Sequence, residues 1–138
     1  MSDRRLRLAS AVLALAGAAV SGYLLWVREA GANLICAAGG CETVQSSQYS
    51  EIMGVPVALL GLACYAALFA TALLRSENAR LVQTALALTA AVFSTYLLYV
   101  QLELIGAVCQ WCLASDGIVS GLAILALLRL KIAQAAPA

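Results

Sequence analysis

The placement of the charged residues constrains this chain more than any other feature. The eight basic residues, Arg4, Arg5, Arg7, Arg28, Arg75, Arg80, Arg129 and Lys131, leave apolar segments at about Leu8–Val27, Pro56–Leu74, Leu81–Gln101 and Val108–Leu128. Each is close to the roughly 20 residues that a helix needs to cross the hydrocarbon of a bilayer. Threading the four segments alternately puts both termini and the Arg75–Arg80 turn on one side, together with seven of the eight basic residues. The other side receives a long loop from about Arg28 to Val55 and a short connection near Leu102–Ala107, with Glu29, Glu42, Glu51 and Glu103 among them. Lys and Arg concentrate on the cytoplasmic side, so both termini are expected in the cytoplasm and the acidic loops outside.

Composition leads to the same place. The chain is 64% apolar and 11% charged, whereas a soluble domain is about 45–50% apolar and about 25% charged. Disorder is excluded by so apolar a composition, and a net charge of +1 excludes an electrostatic nucleic-acid binder. The expected fold is an all-α membrane protein, a four-transmembrane-helix bundle forming one domain over residues 1–138, with a long outer loop between helices 1 and 2. A signal peptide also begins with a basic cluster such as Arg4-Arg5-Leu6-Arg7, but its apolar core is about 7–15 residues and ends at small residues. Here the run ends in Tyr23, Leu24, Leu25 and Trp26, as at a membrane interface, and a retained helix is expected.

The cysteines carry the functional signal. Cys36 and Cys41 lie in the long outer loop, Cys109 and Cys112 at the outer mouth of helix 4, and Cys64 within helix 2, where it reads as a small buried apolar residue. Four of the five thus share one face, the side on which disulfides persist if the membrane is a bacterial plasma membrane. A cysteine near a helix amino terminus feels the positive end of the helix dipole, so Cys109-Gln110-Trp111-Cys112 reads as a reactive pair. Its members are about one turn apart, with Cys109 toward the outer loops and Cys112 deeper. The two glycines of Cys36-Ala37-Ala38-Gly39-Gly40-Cys41 let that pair close a small ring. A loop pair above a helix-mouth pair suits stepwise thiol exchange through mixed disulfides. Two other readings stay open: inert structural disulfides in a membrane protein of purely structural role, and a four-thiolate zinc site, which the spacings nearly match. Oxidation on the outer face argues against zinc, and no metal is expected.

The order of these residues resembles the vitamin K epoxide reductase family. The shared features are a long outer loop with two cysteines, Ser46-Ser47, Gly54-Val55-Pro56 leading into a helix with Gly61 and Tyr65, and C-x-x-C opening the fourth helix. The resemblance covers about residues 8–130. It implies a quinone-dependent thiol oxidoreductase that generates disulfides in the bacterial plasma (inner) membrane, with ubiquinone or menaquinone as electron acceptor. It further implies that Cys36 and Cys41 form a shuttle pair, that Cys109 and Cys112 form the inner pair with Cys112 nearest the quinone, and that Ser47 helps hold the quinone pocket. The implied partner is a separate thioredoxin-fold, DsbA-like dithiol protein, because the chain ends at Ala138 without a fused thioredoxin-like domain. Reduction of vitamin K epoxide itself is the alternative within the family. The unrelated DsbB-type quinone reductases place their C-x-x-C in the first outer loop, which separates them from this chain. The loop pair is spaced more closely than in familiar members, and Asp116 stands where animal relatives carry a tyrosine one turn beyond the inner cysteine.

Asp116 and Trp111 complete the candidate quinone contacts. An ionisable residue at membrane depth is costly, so Asp116 is expected to touch a quinone oxygen or relay protons; the plainer reading is a carboxylate in the first turn of helix 4, wetted by headgroup water. Trp111 either stacks on a quinone or anchors the helix at the interface. Gly117-Ile118-Val119-Ser120-Gly121 gives helix 4 a small-xxx-small surface for close packing. The segment Val44–Met53 is amphipathic enough for a short interfacial helix.

Overall fold

The computed structural model describes residues 2–31, 43–44 and 46–135. Helix α1 spans Asp3–Ala30, α2 Val57–Leu73, α3 Glu77–Tyr99 and α4 Gln110–Ala135; α3 runs on through a π-helical turn, Val100–Ile105. Helix α1 touches α2 and α4, and α3 touches the same two, so the four close a ring. Three helical stretches, Asp3–Ala30, Glu77–Ile105 and Gln110–Gln134, are long and apolar enough to cross a membrane, and α2 is a shorter apolar helix of 17 residues.

The helices outrun the apolar segments at several ends, because polar residues there cap them. Ser2 starts α1 by accepting the Arg5 N–H on its hydroxyl at 3.3 Å, and Asp3 pairs with Arg7 one turn on. Such a cap satisfies one of the N–H groups that a helix start leaves without a partner. Ser76 does the same for α3, accepting from Ala79 N–H at 3.1 Å. Gly31 ends α1 in the left-handed conformation at φ 66°, which a glycine adopts without a Cβ clash. The π-helical turn ends similarly at Gly106.

The sequence allows an interfacial helix over Val44–Met53 without requiring one. In the structure a single 3₁₀ turn, Gln48–Ser50, leads into a two-stranded antiparallel hairpin, β1 (Glu51–Ile52) and β2 (Val55–Pro56). Met53 and Gly54 form its turn at φ 53° and 82°. Two consecutive positive φ angles match the right-handed twist of paired strands, which a helix through the same residues would not allow. Pro56 then precedes α2, where its missing N–H costs nothing.

Inside the ring, Ala14, Tyr65, Leu68, Ala87, Val119, Leu122, Ala123 and Ala126 form the core. Small residues decide how closely it closes. A Cβ on Gly17 would lie 2.2 Å from the Tyr65 ring, so the ring of α2 rests directly on the backbone of α1. Gly121 meets Leu13 of α1, whereas Gly117 faces open space, so only one end of the expected small-xxx-small surface is packed. Large apolar residues on all four helices point outward, among them Val12, Leu59, Val92 and Ile124. In water this would be a liability; against lipid it is the normal surface.

At the end carrying both termini, Arg129 is 1% exposed and joins every helix. Its Nε donates to Asp3 Oδ1 at 3.0 Å, Nη1 to Gln83 Oε1 at 2.6 Å and to Thr71 O, and Nη2 to Leu74 O at 2.5 Å. Two carbonyls at the carboxyl end of α2, that of Thr71, which also accepts the Leu74 N–H at 3.3 Å, and that of Leu74, are thus met by a cation.

Candidate functional site

Toward the cysteine end the helices enclose a mostly apolar cavity of about 360 Å³. Its wall takes residues from all four helices and from the segment before α2, including Leu24, Tyr49, Ile52, Leu60, Phe93 and Leu97. Cys112, Asp116, Ser94 and Ser47 bring the polar and thiol groups to this wall.

Cys109 sits just before α4, and its carbonyl accepts the Leu113 N–H at 3.0 Å, the first bond of the helix. Its Sγ accepts the Cys112 N–H at 3.4 Å. Sulfur thus takes the place of the usual serine or aspartate oxygen at a helix cap, the position where negative charge is best stabilised. Cys109 is fully buried against Val44, with Ile105, Ala107, Trp111 and Cys112 around it. Its own N–H donates to the Gln101 side chain, Oε1, at 2.9 Å. Gln101 is buried in the π-helical turn, and its backbone carbonyl accepts from both Gly106 and Ala107, at 3.0 and 3.2 Å. One glutamine therefore holds both the turn and the cysteine that follows it. Cys112, one turn deeper, is half-buried and belongs to the cavity wall.

Asp116 lies a further turn down α4, past its first turn, and lines the cavity. The Ser94 hydroxyl of α3 donates to its Oδ1, while its Oδ2 is buried without a hydrogen-bond partner among the described residues. Beside it, the Tyr65 hydroxyl meets Ser115, at 2.6 Å from Oγ and 3.1 Å from the carbonyl, and ties α2 to α4 below the cavity. Ser47 contributes differently: its hydroxyl donates to Val44 O at 2.7 Å, so it shapes the wall and spends its proton on the backbone. Trp111 is not among the residues lining the cavity and packs against Tyr23 of α1, ring centroids 4.9 Å apart. Cys64, read from sequence as buried and apolar, is half-buried and lines the cavity. Cys36 and Cys41 lie outside the described residues.

Two participants were missed in the sequence. Ser94 is one of four serine and threonine hydroxyls along an apolar helix, with Thr84, Thr89 and Thr95, and Gln101 lies just past its end, so neither pattern announces a partner across the bundle. Among the described residues, no group of three or more His, Cys, Asp or Glu side chains is placed to hold a metal ion.

Fold and site together define a class: an α-helical membrane protein with a cysteine pair at the mouth of an apolar chamber. A sequence model of the vitamin K epoxide reductase family matches residues 8–127, and the chain belongs to that family. Membership makes it an oxidoreductase whose chemistry is of the redox and quinone-related kind.

Proposed function

We propose that the protein oxidises the dithiol of an extracytoplasmic thioredoxin-fold, DsbA-like protein and passes the electrons to a quinone of the bacterial plasma membrane. The observation that carries this reading is Cys112 on the wall of the apolar cavity, with its C-x-x-C partner Cys109 at the helix cap above it. A quinone head is a flat apolar ring with polar oxygens, and the cavity suits one. Its volume of about 360 Å³ is in the range of ligand pockets, roughly 300–1,000 Å³, and its polar groups converge at Ser94 and Asp116.

In this proposal the electrons travel as thiol exchange. The partner's dithiol reduces the Cys36–Cys41 disulfide and leaves oxidised; a loop thiolate attacks the Cys109–Cys112 disulfide, and the loop disulfide re-forms as the inner pair becomes a dithiol. A bound quinone supplies the sink, accepting two electrons and two protons as the Cys109–Cys112 bond closes again. The chain's part is to hold Cys112 at the cavity wall, to cap Cys109, and to keep the Asp116 carboxyl next to the reacting ring as a hydrogen-bonding or proton-transferring group. Both termini lie in the cytoplasm in this orientation, since that places seven of the eight basic residues there.

The test uses purified, fully reduced protein without oxygen, mixed with a soluble quinone, and counts thiols by maleimide mass shift. Four of the five cysteines are expected to become oxidised. Cys112→Ala is expected to abolish the quinone-dependent loss, and Asp116→Asn to slow it by about 10²-fold or more if the carboxyl moves a proton. Thiols that stay reduced with every quinone offered overturn the reading and leave inert disulfides as the account. A vitamin K epoxide reduced faster than any quinone would instead favour reductase activity in the strict sense.

A further inference from the structure

Arg28 breaks the charge pattern of the chain: it is the one basic residue at the cysteine end. The structure gives it a task. From the end of α1 its Nη2 pairs with the Glu51 carboxylate, and its Nη1 donates to Ser50 Oγ at 3.3 Å. From there a line of hydrogen bonds runs back along the segment above the cavity. The Ser50 hydroxyl donates to Ser47 O at 2.8 Å, and the Ser47 hydroxyl donates to Val44 O at 2.7 Å. Val44 rests on Cys109, and Ser47, Tyr49, Ser50 and Ile52 of this same segment form one wall of the cavity. Among the described residues, the regular structure from Ser46 to Pro56 is one 3₁₀ turn and a pair of two-residue strands.

We propose that Arg28 is a positioning residue, an electrostatic latch that holds Val44 and the wall Ser46–Ile52 over both the cavity and Cys109. The inference rests on the quinone reading for what the cavity holds, while the latch itself rests on the contacts of Arg28. Releasing it loosens the wall, so a ligand is retained less well and the Cys109 sulfur becomes more reachable. Both partners are partly open to solvent, Arg28 at 29% and Glu51 at 45% of the side chain. Exposed pairs of this kind contribute modestly and weaken with salt. The effect is therefore severalfold, not all-or-none, and suited to a wall that must also let substrates through.

The experiment uses the full chain in lipid nanodiscs, with Arg28→Gln, Arg28→Glu, Glu51→Arg and the double charge reversal Arg28→Glu/Glu51→Arg. Three quantities are read: amide hydrogen exchange over residues 46–52, the rate of Cys109 alkylation in reduced protein by peptide mass spectrometry, and KM and kcat for a short-chain quinone. Arg28→Gln is expected to speed exchange and alkylation and to raise KM about threefold, with kcat changed less. The double reversal restores most of each effect, and about 0.5 M salt shifts the parent toward Arg28→Gln while leaving that variant nearly unmoved. Unchanged exchange and alkylation in Arg28→Gln overturn the latch, as does a double reversal no better than its worse single variant. If the parent shows no quinone turnover, the quinone reading has failed, and the exchange and alkylation arms still decide the latch.

Discussion

The two ends of the bundle are built on opposite plans. At the terminus end, Arg129 is buried and bonds to groups on α1, α2 and α3 from its own place on α4. At the cysteine end, Arg28 is partly exposed and, among the described residues, bonds to a short segment beside the cavity. The same side-chain type thus ties the helices together at one end and holds a movable wall at the other. What separates the roles is desolvation. A buried guanidinium with full hydrogen bonding is costly to disturb, whereas an exposed pair is worth about 0.2–1 kcal/mol and can open. The buried cation lies at the end away from the cavity wall that carries Cys112 and Asp116.

That contrast is open to direct attack. The largest effect is expected at the closed end: Arg129→Leu removes the cation and leaves the Thr71 and Leu74 carbonyls and Gln83 Oε1 without it. A loss of about 3 kcal/mol or more is expected in an unfolding titration in mixed micelles. A loss no larger than that of Arg28→Gln would erase the distinction between the ends. An intermediate effect is expected at mid-height, where Gly17→Ala puts a methyl into the Tyr65 ring. Overpacking of this kind costs about 1–3 kcal/mol, and it should also separate the Tyr65 hydroxyl from Ser115 and narrow the cavity floor. A Gly17→Ala variant with unchanged thermal stability would show that α1 and α2 can spread freely. The smallest effect, and one of opposite sign, is expected at the hairpin. Met53 is fully exposed with φ 53°, a conformation that asparagine tolerates better. Met53→Asn should therefore raise stability by less than about 1 kcal/mol, and a clear loss in nanodiscs would mean that the methionine touches lipid.

The bilayer-length segments were legible because an apolar run of that length between charges has few other uses; Leu8–Val27 falls inside α1, and Val108–Leu128 coincides with α4 from Gln110 onward. Helix ends were less so: Asp3, Arg7 and Glu77 break the apolar pattern yet sit in capped helical turns, because a short cap motif outweighs polarity. The hairpin was not legible because Val44–Met53 has amphipathicity compatible with a helix, and the Met53-Gly54 turn that decides the matter is a signal of only two residues. In the candidate site, the cysteine pair and Asp116 stood out as chemistry that an apolar segment does not need. Ser94, Gln101 and the burial of Arg129 did not, since each acquires meaning only from a partner on another helix. Arg129 in particular reads as an ordinary flanking charge until the bundle closes around it.

The Gln101 clasp bears on how this connection can vary. Its carbonyl closes the turn to Gly106 and Ala107, and its side chain closes the next step to Cys109. The chain from α3 to α4 is therefore a loop of fixed circumference. Leu102, Glu103 and Leu104 face outward on it and are free to change in identity. An inserted or deleted residue there would rotate the start of α4 and turn Cys112 off the cavity wall. In descendants of this chain, drift should accumulate in the letters of that connection and spare its length.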